Sequence, residues 1–345
     1  MTANEPEKAE VLHVGIDLGT SRSSISTSAG ERVFIDSYVG WPLDMVASRV
    51  LKKKILIGED ALKNRIMLDL HRPLERGLIK EGSDKDLTAV REIVAHLLKK
   101  AKVKSKHKVR AVIGVPAEAM RVNKQQLRNV LSGLVESLII ISEPFAVAYG
   151  LDALLHALIV DVGAGTSDFC VMNGRFPTDE DQRTLTQAGD WVDEQLEKLI
   201  ADRHPDVTFS GHMAREWKEK NAFVGDPEGA VKVSVPVHGK PTEIDITKEL
   251  KTACESLIAP ITETMIELVA KVEPEYQAEV RNHIILSGGS ALTRGLGETL
   301  ERALDEYGGG SVRQVEDPLF VGSDGGLQIA KDAPASDWEK VPAKS

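Results

Sequence analysis

Residues 14–21 read VGIDLGTS, and residues 159–167 read IVDVGAGTS. In both stretches a short apolar run leads to an aspartate, Asp17 or Asp161, and then to a turn of glycine, threonine and serine. Apolar runs of this length that end in a turn are typical of buried strands that carry functional loops. The repeat predicts two related halves of the chain that face each other across a cleft.

Each of these turns is followed by a second β-like segment. Residues 23–27 precede Ala29-Gly30, and residues 169–172 precede Asn173-Gly174. Asn-Gly between two strands is a strong signal for a type I′ hairpin. The sequence therefore predicts one β-hairpin unit in each half, with a tight hairpin turn at residues 173–174.

The remaining segments alternate between strand and helix patterns, which indicates an α/β fold. The other strand patterns are residues 109–114 and 283–286. Apolar residues at helical spacing run through residues 87–98, after a Ser-x-x-Asp cap at Ser83. A second helical pattern covers residues 250–268, where Pro260 is expected to kink or divide the helix.

The composition is that of a soluble globular protein with more than one domain. The chain has 345 residues, of which 42 % are hydrophobic and 28 % charged, and these values exclude a disordered or collagen-like protein. Because 43 Lys and Arg stand against 53 Asp and Glu, the net charge is −10, and we expect no nucleic-acid partner. Two distant cysteines, Cys170 and Cys254, predict free thiols in a reducing compartment, hence a cytoplasmic protein.

Both chain ends have the composition of solvated tails. Residues 1–10 and 331–345 are rich in charged and small residues, and the sequence contains no signal-peptide or membrane-spanning pattern. Residues 2–10 are too polar for an amphipathic membrane helix. We therefore expect tails at both ends and no direct insertion into a membrane.

The two Gly/Thr/Ser turns offer what phosphate binding requires. A tight turn whose backbone N–H groups converge forms an anion-binding nest, and two nests can hold adjacent phosphates. One Asp-x-Gly sequence alone is more often an ordinary tight turn, so the matched pair carries this interpretation. The candidate residues are Gly19, Thr20 and Ser21 in the first turn, and Gly163, Gly165 and Thr166 in the second.

An aspartate stands immediately before each turn. The carboxylates of Asp17 and Asp161 would repel phosphates unless a cation lay between them. Mg²⁺ suits this position because it binds one or two carboxylates and keeps several of its waters. The sequence therefore predicts Mg²⁺ at Asp17 and Asp161, held largely through water.

A third glycine turn follows the strand pattern at residues 283–286. Its residues Gly288, Gly289 and Ser290 permit close backbone approach to a base or a sugar. The sequence contains no G-x-x-x-x-G-K-[ST] P-loop, and the glycine spacing at 163–165 is not that of the dinucleotide fingerprint. As part of a set of three turns, this one fits the nucleoside end of a nucleotide.

Together, in this order, these motifs resemble the signature of the actin–Hsp70–sugar-kinase superfamily. The motifs are GIDLGT at 15–20, Glu143-Pro144 with AYG at 148–150, DVGAGT at 161–166 and SGGS at 287–290. Arg72-Pro73-Leu74 and IGVPA at 113–117 resemble segments of bacterial actins. SEPFAVAYGLD at 142–152 and FVGDPEG at 223–229 are similar to the bacterial actins associated with magnetosomes. The resemblance covers about residues 11–330.

The resemblance implies that ATP or ADP binds with Mg²⁺ in a cleft between two lobes. Asp17, Asp161 and Glu143 would be the catalytic residues, with both aspartates on the hydrated ion and Glu143 orienting or deprotonating the attacking water. Without the motif order, Glu143 would be an ordinary helix-start carboxylate beside Pro144. The nucleoside end would be bound by Gly189, Asp193, Lys218 and the adenosine motif Gly288, Gly289 and Ser290.

The resemblance also implies an actin-like fold made of duplicated RNase H-like sheets, each lobe with a smaller outer subdomain. The first lobe would comprise inner subdomain IA, at 11–30, 72–150 and part of 318–330, and outer subdomain IB, at 31–71. The second lobe would comprise inner subdomain IIA, at 151–188 and 250–317, and outer subdomain IIB, at 189–249. Trp41-Pro42 and the basic-apolar residues 52–57 fall in IB and suit either an assembly surface or the core of that lobe.

The implied function is that of an actin-like ATPase that polymerises with itself into dynamic filaments. The magnetosome-associated resemblance implies a role in positioning magnetosomes, through adaptor proteins rather than direct membrane contact. Two alternatives stay open at this point. One is a small-molecule kinase on the same scaffold, and the other is a non-hydrolysing nucleotide-dependent scaffold for division or secretion.

Overall fold

The computed structural model describes residues 10–80, 84–117 and 119–341, and the chain divides into two units. The first unit runs up to Leu154 and resumes at Asp317, and the second covers Leu155–Glu316. Ser83 and all but the last residue of the tail expected at 1–10 lie outside the described residues. Glu10 itself begins a strand.

The first unit contains a large mixed sheet with helices packed on it. Elements are numbered along the chain. Its strands are β1 (Glu10–Leu18), β2 (Arg22–Thr27), β3 (Arg32–Asp36), β4 (Val39–Pro42), β5 (Leu56–Ile57), β6 (Leu68–His71), β7 (Leu74–Glu75), β8 (Leu78–Ile79), β9 (His107–Val115), β10 (Ser137–Ser142) and β18 (Glu339–Lys340). Its helices are α1 (Met45–Leu51), α2 (Glu59–Lys63), α3 (Asp84–Lys100), α4 (Ala119–Leu131), α5 (Glu143–Gly150) and α12 (Val321–Asp332).

The second unit is likewise built of strands and helices. Its strands are β11 (Leu155–Val162), β12 (Ser167–Asn173), β13 (Gln182–Leu185), β14 (Lys232–Val237), β15 (Lys240–Asp245), β16 (Ile284–Ser287) and β17 (Val312–Gln314). Its helices are α6 (Gly189–Arg203), α7 (Gly211–Asn221), α8 (Thr247–Glu255), α9 (Ile258–Val269), α10 (Gln277–Arg281) and α11 (Leu296–Ala303).

The principal sheets of the two units repeat one another. The first has the order β18-β10-β9-β1-β2-β3 and the second β13-β12-β11-β16-β17. In each, three antiparallel strands in succession are joined by two parallel strands, β9 and β10 in one case and β16 and β17 in the other. Asp17 and Asp161 are both the penultimate residue of the strand at the centre of this pattern. The internal repeat in the sequence therefore corresponds to a duplicated sheet.

Helix α3 illustrates how the sequence determines an element. Its apolar residues recur at helical spacing, so one face packs into the core of the first unit, while acidic residues lie in its first turn and lysines in its last. The fully buried residues of that face are Ala89, Val90, Ile93, Val94 and Leu97. The helix predicted over residues 87–98 is confirmed and extends beyond them at both ends.

The outer part of the first unit is a small lobe with its own core. Strands β5, β4 and β6 form a three-stranded sheet over a cluster of Tyr38, Leu56, Ala61 and Leu68. Its expected start at residue 31 was too early, because Arg32–Asp36 pairs with β2 in the principal sheet. In the second unit, one continuous core joins the principal sheet to α6, α7 and the β14–β15 hairpin.

Two expected local features differ from the structure. The helical pattern at residues 250–268 is divided, but at Ser256–Leu257, so Pro260 falls in the first turn of α9, where a missing N–H costs nothing. The hairpin expected at Asn173-Gly174 was wrong. Gly174 has a positive φ of 74°, yet the chain makes a 3₁₀ turn at Asp179–Asp181 before it pairs again as β13.

The solvated tail expected from residue 331 onward was also wrong for the part that the structure describes. Helix α12 continues to Asp332, and Glu339–Lys340 pairs with the edge strand β10. Trp338 lies near the guanidinium of Arg110, and Val341 is buried. Two apolar residues in an otherwise polar segment are enough to fix the chain against the sheet edge.

Within the described residues, no helix combines the length and the apolar character that crossing a membrane requires.

Candidate functional site

The parallel strands of the first unit bring their functional residues to one sheet edge. Asp17 lies beside Gly114 in the register of β1 and β9, and Gly114 lies beside Ile141 of β10. Glu143 follows β10 directly as the first residue of α5. Its Cγ lies 3.3 Å from the place that a Cβ would occupy on Gly114. Asp17 and Glu143 therefore extend from the ends of β1 and β10, on either side of β9, although they are distant in sequence.

The first turn, residues 19–21, is fixed by hydrogen bonds to its carbonyl oxygens. The Ser37 hydroxyl donates to Gly19 O at 2.7 Å, and the Ser37 N–H donates to Ser21 O at 2.8 Å. The Arg72 Nε donates to Thr20 O at 2.9 Å. These three hydrogen bonds to its carbonyl oxygens fix the backbone of the turn.

No pattern in the sequence indicates a role for Ser37 or for the side chain of Arg72. Arg72 was singled out only as part of a family segment. Neither residue has a spacing relative to the turn that would reveal the contact, because the intervening strands β3 to β6 fold back on it. The only signal was the serine-rich alternation of β2, which places Ser23 within 2.8 Å of the Ser37 hydroxyl.

The surroundings of Asp17 disfavour a negative charge on its carboxyl. Burial raises the pKa of its carboxyl from 3.8 to about 6. The first turn of α12 passes close by, since a Cβ on Gly322 would lie 3.2 Å from Asp17 Oδ2. A carboxylate held in such surroundings is stabilised by a cation.

The second turn, residues 163–166, joins three segments of the second unit. Gly163 O accepts from the Ser290 hydroxyl at 2.8 Å and from the Gly189 N–H at 3.1 Å. Ala164 O accepts from the Asp190 N–H at 2.7 Å. The second turn, the start of α6 and the third glycine turn therefore form one cluster. The N-terminus of the 15-residue helix α6 adds a partial positive charge to this cluster.

The third glycine turn approaches Asp161 closely. Asp161 lies beside Ser287 in the register of β11 and β16, and Gly288 follows with φ of 88°. A Cβ on Gly288 would lie 2.4 Å from Asp161 Oδ1 and 2.4 Å from Val162 O. Only glycine fits there, whereas the Cβ position of Gly289 has no atom within 4 Å. Gly289 therefore leaves open space for a ligand.

Asp193 and Lys218 lie in a buried ion-pair cluster. Asp193 on α6 is only 4 % exposed, and its carboxylate accepts from Arg215 Nε at 2.9 Å and pairs with Lys218 Nζ at 2.7 Å. Lys218 also donates to Gly189 O at 2.8 Å. Arg215, which the sequence did not identify as functional, pairs with Asp190 at 2.8 Å. The cluster thus connects α7 to the first turn of α6.

The sequence did not identify Asp168 as a buried carboxylate next to Asp161. It lies opposite Asp161 in the β11–β12 register, is fully buried and accepts from the Thr184 hydroxyl at 2.5 Å. The signal was present, since a lone aspartate interrupts the apolar strand SDFCVMN. Thr20 and Thr166, one in each of the two turns, are only 6 % and 5 % exposed.

The residues present fit Mg²⁺. Among residues 10–80, 84–117 and 119–341, no three His, Cys, Asp or Glu side chains gather into a metal cluster. Mg²⁺ does not need one, because it is held by one or two carboxylates together with water and phosphate oxygens. The buried Asp17 carboxyl, with its raised pKa, supplies a hard oxygen ligand of that kind.

Comparison with known proteins gives consistent results along the whole chain. The profile of the MreB/Mbl protein family matches residues 11–336. Actin-like protein MamK of Paramagnetospirillum magneticum (strain AMB-1) is 38 % identical over 341 residues, which are 99 % of this chain and 98 % of MamK.

Solved structures agree with the sequence comparison. A MamK double helical filament matches with a TM-score of 0.92 at 38 % identity, covering 94 % of this chain and 100 % of the other. A non-polymerising MamK mutant bound to AMPPNP matches with a TM-score of 0.71, covering 94 % and 99 %. The fold predicted from the ordered motifs is thereby confirmed.

Proposed function

This chain belongs to the MreB/Mbl family of actin-like proteins, and from that premise we propose that it is a cytoskeletal ATPase that binds Mg-ATP and polymerises into filaments. The observation that carries the proposal is the duplicated turn, in which an aspartate at the penultimate strand position precedes a glycine-containing loop in each unit. A relative's structure with AMPPNP and another's as a filament support the two halves of the proposal.

In this proposal the two turns bind phosphates. Residues 19–21 contribute backbone N–H groups from a loop fixed by Ser37 and Arg72. Residues 163–166 contribute theirs next to the N-terminus of α6. Asp17 and Asp161 would hold a hydrated Mg²⁺, which would neutralise charge on the phosphates.

The nucleoside end is assigned to the cluster around Gly189. The open space at Gly289 and the Ser290 hydroxyl next to Gly163 provide room and polarity for a ribose and a base. We assign Asp193 to hold Lys218 and Arg215 in place there, because its carboxylate is engaged by both. Lys218 then contacts the nucleoside from within the ion-pair cluster.

Glu143 is assigned to the attacking water. Its position at the start of α5, on the same sheet edge as Asp17, allows its carboxylate to accept a hydrogen bond from water and to direct it in line with the γ-phosphate. Hydrolysis weakens the filament in this account, since a subunit that has released phosphate fits its neighbours less well. The cellular role in this proposal is the positioning of magnetosomes, with adaptor proteins as the link.

A substitution of Glu143 tests the proposal at its chemical step. We expect Glu143→Gln to retain ATP binding, measured by fluorescence of a labelled ATP analogue, and to reduce phosphate release by about 10²-fold or more. Its filaments should persist after wild-type filaments have disassembled. Glu136→Gln, at an exposed carboxylate paired with Lys108, is the matched control and should hydrolyse ATP at the wild-type rate. Wild-type phosphate release by Glu143→Gln would contradict the assignment.

A further inference from the structure

The face of the first unit's principal sheet that lies under α12 contains buried serines. Ser24 and Ser26 of β2 are 3 % and 1 % exposed. In the register of β1 and β2, Ser24 lies beside Asp17 and Ser26 beside Gly15. Because alternate residues of a strand point to the same side of a sheet, these four residues share one face. Helix α12 packs on that face, since a Cβ on Gly15 would lie 2.0 Å from Ser323 O.

Ser323, in the first turn of α12, contacts both serines. The Ser24 hydroxyl donates to Ser323 Oγ at 3.0 Å, and Ser26 Oγ lies 3.1 Å from the same atom. Ser323 is completely buried. A buried hydroxyl that loses its hydrogen-bond partner costs free energy, because water cannot replace the partner. A slide of α12 along β2 would separate these hydroxyls, so they fix the position of the helix on the sheet.

Asp324 extends this contact to β3. Its carboxylate accepts from the Ser26 hydroxyl at 2.5 Å and from the Arg32 guanidinium at 2.7 Å. Arg32 lies beside Ser26 in the register of β2 and β3. The same guanidinium donates to Asp317 at 2.7 Å and lies 4.3 Å from the centre of the Phe320 ring. Two strands therefore hold the N-terminal end of α12. We call this set of residues the α12 anchor: Ser24, Ser26, Arg32, Ser323 and Asp324.

The α12 anchor determines what lies against the Asp17 carboxyl. Gly322 directly precedes Ser323, and a Cβ on Gly322 would lie 3.2 Å from Asp17 Oδ2. The first turn of α12 therefore forms one wall of the space around that carboxyl. A displacement of this turn would change the room and the orientation available to Asp17. Groups that orient a metal-binding side chain affect metal affinity although they do not touch the metal.

We propose that Asp324, together with the rest of the α12 anchor, is a positioning residue that orients the Asp17 carboxylate for a divalent cation. The inference rests on the function proposed above and extends it to residues with no assigned contact to nucleotide or ion. A polar network whose members are all hydrogen-bonded favours one arrangement of the elements that it joins. An anchor that served stability alone would affect the melting temperature and leave the cation requirement unchanged.

Replacement of Asp324 tests the proposal through the Mg²⁺ requirement of ATP binding. The melting temperature is measured with ATP over a series of Mg²⁺ concentrations, at a protein concentration too low for pelleting. We expect Asp324→Ala to raise the Mg²⁺ concentration at half of the full effect, the Mg²⁺ midpoint, by about tenfold. Binding of ATP in EDTA should stay at the wild-type value. A wild-type Mg²⁺ midpoint in this variant, whatever its melting temperature, would overturn the proposal.

The matched control is Asp332→Ala at the other end of the same helix. Asp332 also accepts two hydrogen bonds, from Tyr149 and Gln328, both at 3.0 Å. The control should keep the wild-type Mg²⁺ midpoint, and an equal rise there would overturn the role given to the α12 anchor. Arg32→Ala serves if Asp324→Ala does not fold, because it removes a half-exposed side chain. It should raise the midpoint in the same direction, and a wild-type value would overturn the proposal.

A double variant tests whether Asp324 acts through Asp17. Asp17→Asn should itself raise the Mg²⁺ midpoint, and the addition of Asp324→Ala should raise it no further, because the carboxylate that Asp324 orients is gone. A full additional rise would overturn the proposal. If Mg²⁺ with ATP leaves the melting temperature of the wild type unchanged, the proposed nucleotide binding fails and the inference with it. Failure of the inference alone leaves the wild-type response intact.

Discussion

The carboxyl of Asp17 is placed where burial opposes its charge. Because burial raises its pKa to about 6, folding takes up a proton between about pH 4 and 6, and the free energy of unfolding without ligand falls as pH rises through that range. Asp17→Asn removes this dependence. We expect the variant without nucleotide to be at least as stable as the wild type at pH 7, with the difference shrinking toward pH 4.

Urea unfolding at several pH values measures this effect, and thermal melting with Mg-ATP measures its functional counterpart. Mg-ATP should raise the melting temperature of the wild type more than that of Asp17→Asn. Asp60→Asn is the control, because a hydrogen bond from Lys53 lowers the pKa of Asp60, so its contribution is lost as pH falls. An Asp17→Asn protein that is less stable at pH 7 yet keeps the full Mg-ATP shift would refute this account of Asp17.

Two adjacent glycines in the third turn should respond differently to substitution by alanine. Gly288→Ala places a Cβ 2.4 Å from Asp161 Oδ1 at a position with φ of 88°. We expect it to destabilise the protein by more than about 1 kcal/mol and to weaken ATP binding through displacement of Asp161. Gly289→Ala has open space and should retain stability. Equal effects of the two, in unfolding and binding titrations, would argue against the position assigned to Asp161.

Among single residues, the sequence predicted those that belong to a recognisable motif. It did not reveal those that hold the motif in place through hydrogen bonds. Asp17 and Asp161 lie next to the ends of their strands, and Glu143 directly follows another, in a recognisable order. Ser37 and Arg72 reach the first turn only because β3 to β6 fold back on it. A contact of that kind depends on tertiary structure, so no local spacing in the sequence could reveal it.

At the scale of elements, α12 packs closely against α5. A Cβ on Gly325 would lie 1.8 Å from Ala146 O of α5, so these two helices touch backbone to backbone. We expect Gly325→Ala to separate them and to lower the melting temperature by several degrees. Gly297→Ala in α11 is the matched control, since its nearest neighbour is 4.0 Å away and alanine favours a helix.

The same substitution also tests function, because α5 begins with Glu143. If α12 holds α5 in place, Gly325→Ala should also reduce phosphate release, whereas Gly297→Ala should not. A Gly325→Ala protein as stable and as active as the control would show that α12 and α5 tolerate separation.

Helices and strands could be predicted from the sequence where apolar residues recur at regular spacing. They could not be predicted where only a few residues determine the local structure. The strands around Asp17 and Asp161 and the helix α3 follow from periodicity alone. The strand β18 does not, because its segment is polar apart from Trp338 and Val341 and is fixed by the edge of β10. The turn at Asn173-Gly174 has the expected positive φ, but the following residues form a longer connection.

At the scale of the whole molecule, the duplication was readable in the sequence, and the assembly surface was not. Residues 52–57 suited either a core or a surface, and the structure divides them, with Leu56 in the core of the outer lobe and Lys52 to Lys54 exposed. A contact between copies leaves no spacing in one chain, so it cannot be predicted from periodicity.

The central claim is that Mg-ATP drives assembly of this chain. High-speed sedimentation over a protein concentration series, in Mg-ATP, in Mg-ADP and in ATP with EDTA, tests it most directly. We expect pelleting to begin above a threshold concentration in Mg-ATP, and at a much higher threshold or not at all in the other two conditions. Protein that stays in the supernatant at every concentration in Mg-ATP, or a threshold that is the same in all three conditions, would contradict it.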